Sequence, residues 1–226
     1  MRVLNSIDFN NKRFDAAIVD LDGTLVDTLP DFVVVLNMML DDLQLAGVER
    51  DFVERSVGKG TEYLIRRILA HVGADSGLYD AAWLHYHRHY ERLNGKHATV
   101  FAGAEEGLAG LRAAGIRLAC LTNKPGVFAH ALLAQKGLAR YFDKVFGGDA
   151  FERKKPDPLP LLKTCSALAS LPPRTLMVGD SSNDAVAARA AGCPVVLVTY
   201  GYNHGEPVRD VDADGFIDRL DALLPA

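Results

Sequence analysis

Asp20 and Asp22 stand one residue apart at the end of a short apolar run, and Gly23 follows them. The run, Ala16 to Val19, reads as a buried strand. Gly23 permits a sharp turn because it adopts backbone angles that other residues avoid. Two carboxylates are thereby expected at the C-terminal edge of a strand, where open α/β sheets place their ligand sites. Carboxylates that close either share a divalent cation or have pKa values that separate. An Asp-Gly turn that merely ends a strand would account for Asp20 alone. It does not account for the whole string Asp20-Leu21-Asp22-Gly23-Thr24-Leu25-Val26-Asp27-Thr28.

Three further segments carry polar groups at predicted strand ends. Thr122 and Asn123 follow an apolar run and offer a hydroxyl and an amide to an oxyanion such as phosphate; simple helix capping is the alternative. In Arg153-Lys154-Lys155-Pro156, Pro156 is expected to start a helix, and Lys155 beside it to point an ammonium into the site. The alternative is a solvated basic loop. In Gly179-Asp180-Ser181-Ser182-Asn183-Asp184, Asp180 follows a strand and Asp184 lies one helical turn later. Asp180 would complete a hard oxygen site for Mg²⁺ with Asp20, or else serve as an N-cap.

The elements that must position these residues alternate between strand and helix, which argues for a parallel sheet with crossover helices. Strands are predicted at Ala16–Leu21, Arg117–Thr122, Lys144–Phe146, Thr175–Gly179 and Val195–Thr199. Helices are predicted at Gly103–Ala114, Gly126–Lys136, Asp157–Ala169, Asp184–Ala191 and, last, about Gly215 to Leu224. In a parallel sheet the four polar edges meet on one side. Between the first strand and the next core helix lie about seventy residues, Leu29 to Thr99, where a βα connection normally takes a few. They read as helices at Leu29–Leu45, Asp51–Val57, Thr61–Val72 and Leu78–Leu93, a helical module over the carboxylates. Such a module suits a lid that excludes water and selects substrate. The expected organisation is therefore an α/β, Rossmann-like core of residues 14–28 and 99–226 with an all-helical cap of residues 29–98.

Composition narrows the partners. With 25 Lys plus Arg against 29 Asp plus Glu, the net charge of −4 offers no basic footprint for nucleic acid and no polybasic patch for a membrane surface. No apolar run approaches a membrane span. Met1 to Arg13 is polar, without the apolar stretch of a secretory leader, so a cytoplasmic protein is expected. Cys120, Cys165 and Cys193 lie far apart in sequence with no CxxC pair, which argues against a disulfide framework or a zinc site. Cys120, inside an apolar strand, reads as core rather than nucleophile.

The order DxDGT, TN, KP and GDSxxD resembles the haloacid dehalogenase superfamily of phosphatases, in the branch with a helical cap inserted after the first strand. The resemblance covers nearly the whole chain after about residue 14. DLDGTLVDTLPD at 20–31, VGKGTEYLIRRIL at 57–69, CLTNKP at 120–125 and VTYGYNHG at 198–205 resemble the family's bacterial phosphoglycolate phosphatases. Asp27-Thr28 replaces the family's usual Asp-Ser, and Val57-Gly58-Lys59-Gly60 its usual VGNG or VGHG. The resemblance implies that Asp20 is the nucleophile and becomes a phosphoaspartate. It implies Mg²⁺ on Asp20, the main-chain carbonyl of Asp22, and Asp180. Asp22 would be general acid and then base. Thr122, Asn123 and Lys155 would hold the phosphoryl oxygens, with Thr24 and Asp184 supporting from behind. Asp22 separates the phosphatases from the dehalogenases, which lack a carboxylate there, and from the transport ATPases, which carry threonine. The implied substrate is a small phosphate monoester, foremost 2-phosphoglycolate. A different phosphomonoesterase, a sugar-phosphate mutase, or an inactive binding protein on the same fold are the alternatives.

Other signals are weaker. Gly58-Lys59-Gly60-Thr61 lacks the spacing of a nucleotide-binding loop, but Lys59 could reach from the cap to a substrate carboxylate. His85 and His89 share a helix face, so a transition metal is conceivable, but an exposed or partner-facing helix surface is the reading the pattern favours. The residue pattern leaves the oligomeric state, monomer or homodimer, open. It also leaves open the role of Tyr200 to His204 and of the first 13 residues.

Overall fold

The computed structural model describes residues 14–224, so the N-terminal 13 residues lie outside the described part. The chain begins with β1 (Ala16–Val19) and a short β2 (Val26–Asp27). Four helices follow: α1 (Leu29–Asp42), α2 (Arg50–Glu54), α3 (Thr61–His71) and α4 (Tyr79–Leu93). The chain then runs through β3 (Thr99–Val100), α5 (Ala104–Ala113), β4 (Arg117–Leu121), α6 (Gly126–Gln135) and β5 (Lys144–Phe146). It finishes with α7 (Leu159–Ala167), β6 (Thr175–Gly179), α8 (Ser182–Ala191), β7 (Val195–Val198) and β8 (Gly215–Ile217).

Six strands form one sheet in the order β5-β4-β1-β6-β7-β8, and every neighbouring pair is parallel. The strands are apolar on both faces because helices cover both. Ala17, Val19, Leu118, Cys120, Leu176 and Val178 face one core layer with Leu108, Leu111 and Leu132. Ile18, Ala119, Leu121, Met177, Val195 and Leu197 face the other, with Leu161, Ala185 and Ala188. The period of two along each strand assigns the layers. Cys120 is buried in the first layer, and burial pushes its thiol pKa up, as suits a core residue.

The helices α1 to α4 enclose a core of their own. In α1 the buried residues Leu29, Phe32, Leu36, Met39 and Leu40 recur at helical spacing and pack with Ile65, Ile68, Tyr86 and Tyr90. Antiparallel pairing of β2 with β3 brings the two connections to this module side by side. Buried Asp31 adds a second clasp: its oxygens accept from the backbone N–H groups of Gly95 and His97 at 2.6 and 2.7 Å.

Two expectations are corrected. The predicted helix at Gly215–Leu224 is instead β8, paired in parallel with β7, followed by a single 3₁₀ turn at Leu220–Leu223. Phe216, Ile217, Leu220, Leu223 and Leu224 recur at helical spacing, but the open sheet edge takes the first two as a strand. Pro156 does not start a helix: its peptide bond to Lys155 is cis, and α7 begins at Leu159. Cys165 and Cys193, distant in sequence, lie with their Sγ atoms 3.8 Å apart as free thiols.

Candidate active site

The sheet order explains why the polar segments converge. β1 lies between β4 and β6, with Val19 level with Cys120 and Val178. Asp20, Thr122 and Asp180 therefore emerge side by side at the same edge. Lys155 enters beneath them, buried to 3 % exposure. Its Nζ lies 2.7 Å from Asp184 Oδ1, 2.8 Å from the Leu121 carbonyl and 3.0 Å from Asp20 Oδ2. Three ammonium protons thus meet three acceptors. Burial opposes the charge of Lys155, but the carboxylates of Asp184 and Asp20 outweigh it and hold its pKa above the usual value. Burial pushes the Asp20 carboxyl up to about 7, with Lys155 pulling against it and the charge of Asp184 adding to it.

Asp184 is placed to organise rather than to react. Its Oδ2 accepts from the backbone N–H groups of Asp180 and Ser181 and from Ser181 Oγ, closing a capping box at the start of α8. Its Oδ1 takes Lys155. Asp180 is held by Thr24 Oγ1 at 3.1 Å and by the Tyr202 backbone N–H at 2.7 Å. Burial, then the charges of Asp184 and Asp20, push the Asp180 carboxyl well above the usual carboxylate range.

Carboxylate oxygens of Asp20, Asp180 and Asp184 come within 4.8 Å of one another. Since Asp184 is engaged by four donors, Asp20 and Asp180 are the pair able to hold a cation. The backbone closes on Asp180 from two sides. A Cβ on Gly23, whose φ is +82°, would fall 2.3 Å from Asp180 Oδ2, and one on Gly201 would fall 2.2 Å from Asp180 Cβ. This buried, all-oxygen donor set fits a hard divalent cation such as Mg²⁺.

Asp22 has a partner that sequence reasoning missed. Lys124 Nζ lies 2.9 Å from Asp22 Oδ1 and 2.5 Å from the hydroxyl of Tyr90 on α4, and it sits over the rings of Phe32 and Tyr90. It joins a core carboxylate to the helical module. Tyr202 is the second missed residue. Its hydroxyl donates to Asp27 and accepts from the Leu29 N–H at 3.2 Å, while its backbone N–H holds Asp180, so one residue links Asp180 to the entry to α1. Thr122 lines the cavity, its Oγ1 accepting from the Lys124 N–H.

Two residues expected to contact phosphate or substrate are engaged elsewhere in this structure. Asn123 lines the cavity, but its side-chain N–H groups donate to the carbonyls of Gly58 and Lys155, and its Oδ1 accepts the Lys155 N–H. Its amide holds two loops together and has no donor left for a phosphoryl oxygen. Lys59 is exposed and lies over the Tyr63 ring, outside the residues that line the cavity. The loop instead approaches through the Gly58 carbonyl, bonded by Asn123 and Asn183. Above the carboxylates the cavity wall is apolar and aromatic: Phe32, Val57, Leu64, Tyr86 and Tyr90.

The comparisons with known proteins bear on this geometry. The family model for haloacid dehalogenase-like hydrolases matches residues 17–198. The chain belongs to that family. It is 44 % identical over 208 residues to a protein named phosphoglycolate phosphatase from Nitrosospira multiformis, covering 91 % of this chain and 92 % of that one. It is 44 % identical over 210 residues to a plasmid-encoded phosphoglycolate phosphatase of Cupriavidus necator, covering 92 % and 90 %. The crystal structure of a predicted phosphoglycolate phosphatase from Haemophilus somnus 129PT superposes with a TM-score of 0.89 at 30 % identity, covering 92 % of this chain and 96 % of that one. The α/β sheet with its helical module is thus the haloacid dehalogenase-like fold, and the convergent carboxylates lie on that hydrolase framework.

Proposed function

We propose that this hydrolase cleaves 2-phosphoglycolate to glycolate and phosphate through a phosphoaspartate on Asp20. The observation that carries the reading is the convergence of Asp20, Asp22, Lys155 and Asp180 at one sheet edge, in a chain whose relatives named phosphoglycolate phosphatase match it over nine-tenths of its length. Asp20, Asp180 and the Asp22 main-chain carbonyl would hold Mg²⁺, which would neutralise phosphoryl charge so that an anion can be attacked by an anion. Lys155 fixes the Asp20 carboxylate against rotation and keeps a positive charge beside the transferring group. Asp20 attacks phosphorus, and the bond to the leaving oxygen breaks. Asp22 gives that oxygen its proton, then takes one from the water that hydrolyses the phosphoaspartate. Lys124 orients Asp22 for both steps. Thr122 offers its hydroxyl to a phosphoryl oxygen.

We take residues 29–98 as a separately moving cap and the remaining described residues as the core. The cavity between them encloses about 30 Å³ of free space, room for a water or two and not for a phosphate ester. Substrate entry then requires the cap to lift, and its return excludes water. We place the protein in the reducing cytoplasm, where the buried thiols Cys120, Cys165 and Cys193 stay free. No helix among the described residues is long and apolar enough to cross a membrane.

The test is phosphate release with Mg²⁺ from 2-phosphoglycolate, hexose phosphates, nucleoside monophosphates and pyrophosphate, with Asp20→Asn as control. The expected result is a preference of about a hundredfold or more for 2-phosphoglycolate, lost in the variant. Sugar-directed or indiscriminate release, equally lost, would keep the phosphoryl chemistry and overturn the substrate.

A further inference from the structure

The helical module carries a second cluster of ligand-type side chains, remote from the sheet edge in sequence and different in chemistry. Asp42 is the last residue of α1. His85 and His89 lie one turn apart on α4, with both rings turned toward it. His85 Nδ1 and His89 Nε2 each lie 2.7 Å from Asp42 Oδ2, and the three atoms all fall within 4.8 Å of one another. His87, between them in sequence, stays out of the group and bonds the Trp83 carbonyl.

We propose that Asp42, His85 and His89 form a binding site for a divalent transition-metal ion, of which Zn²⁺ is the representative. Two imidazoles and a carboxylate are the donor mix that zinc takes at about 2.0–2.2 Å, with solvent completing the coordination. Imidazole nitrogen suits zinc, copper and nickel and is a poor ligand for Mg²⁺. The two clusters thus divide by hardness: all oxygen at the sheet edge, mixed nitrogen and oxygen in the module.

Three observations converge on a cation. Asp42 closes α1, and the last turn of that helix carries no basic side chain to offset its negative end. Side-chain exposures of 29 % for His85, 34 % for Asp42 and 11 % for His89 leave the cluster within reach of solvent. Both histidines converge on the same oxygen, so an ion seated there replaces two hydrogen bonds at once. Each neutral imidazole needs only to carry its proton on the far ring nitrogen. The ion would tie the end of α1 to the middle of α4, the helix whose Tyr86 and Tyr90 form the cavity roof.

The test is a zinc titration of the purified protein in saturating Mg²⁺, which keeps the all-oxygen site occupied, read by competition with a chromogenic chelator. The expected result is one zinc equivalent, weakened about a hundredfold in His85→Ala and in His89→Ala. Zn²⁺ should raise the unfolding temperature of the unaltered chain and not that of the variants. Co²⁺ should give a visible absorption band that the variants lose. Asp42→Asn, which keeps an acceptor oxygen and removes the charge, covers the case in which an alanine variant fails to fold, and it should weaken zinc in the same direction. Absence of any zinc equivalent beyond the one Mg²⁺ displaces would overturn the proposal. So would affinity unchanged in the folded variants, which would leave the cluster as a hydrogen-bonded clasp.

Discussion

The edge of the parallel sheet and the helical module above it face one cavity and are built on opposite principles. At the edge, every charged group is occupied: Lys155 meets three acceptors and Asp184 four donors, all within a buried network. The module presents mainly apolar and aromatic side chains to the same cavity, and there its polar contacts with the core are the Tyr90 hydroxyl and the Gly58 carbonyl; its other hydrogen bonds to the core lie at its entry and exit, at Leu29, Asn94, Gly95 and Ala98. A saturated network fixes geometry to within a few tenths of an ångström because moving one member leaves others unpaired and buried. An apolar roof holds its closed position without demanding it, since dispersion contacts re-form readily. The difference supports the division of labour proposed above, with the chemistry at the edge and access and choice in the module.

The largest effect should come from breaking the edge at its centre. Asp20→Asn keeps the shape and removes the nucleophile, and phosphate release should fall by about 10⁴-fold or more. Circular dichroism and unfolding temperature should remain near those of the unaltered chain. Residual turnover within tenfold would remove Asp20 from the role assigned to it.

Lys155→Met comes next and should strike both activity and stability. It leaves Asp184 and Asp20 as uncompensated buried charges, a loss of about 3–5 kcal/mol by the precedent of broken buried pairs. Release of phosphate should fall about a thousandfold. A denaturant midpoint that does not move would show that Asp184 and Asp20 do not depend on this ammonium.

Much of the edge is legible in the sequence because Asp20, Thr122 and Asp180 each follow a short apolar strand, and strand order does the rest. Lys155, nine residues beyond β5, is legible only from Pro156 beside it. Lys124 stands in the same string as Thr122 and was passed over. Its meaning comes from Asp22, 102 residues away, and from Tyr90 on the cap, neither of which a local pattern reveals. Asn123 lines the site, and its side-chain amide is taken up by the Gly58 and Lys155 backbone. An amide's residue type does not say which of several loops will claim its donors. The C-terminal segment failed for a related reason: the spacing of Phe216, Ile217, Leu220 and Leu223 suits a helix, and only the vacant edge of β7 selects a strand.

Lys124→Met should produce an intermediate effect and a diagnostic one, because Lys124 spans the two regions. Asp22 would lose its ammonium partner, and Tyr90 the bond that ties it to that partner. We expect kcat to fall about a hundredfold, the scale of impaired acid–base catalysis, with a smaller change in KM. Tyr90→Phe removes the cap side of the bridge alone. If the edge governs chemistry and the module governs access, this variant should alter KM more than kcat. Equal losses in both parameters would mean that Asp22 is positioned by cap closure itself, and the division of labour would blur.

The smallest effect is expected at Lys59, and it bears directly on the roof. The residue is exposed, stacked over Tyr63, and absent from the cavity wall, so Lys59→Ala should change KM for 2-phosphoglycolate by less than about threefold. Gly58, next to it, docks through a backbone carbonyl that no side-chain change removes. Selection by the module would then rest on the shape of its apolar wall rather than on a charge offered to the substrate. A tenfold or larger rise in KM with kcat unchanged would mean the opposite. It would show that the lysine swings inward when substrate arrives, and that the module contributes a specific ionic contact as well as a roof.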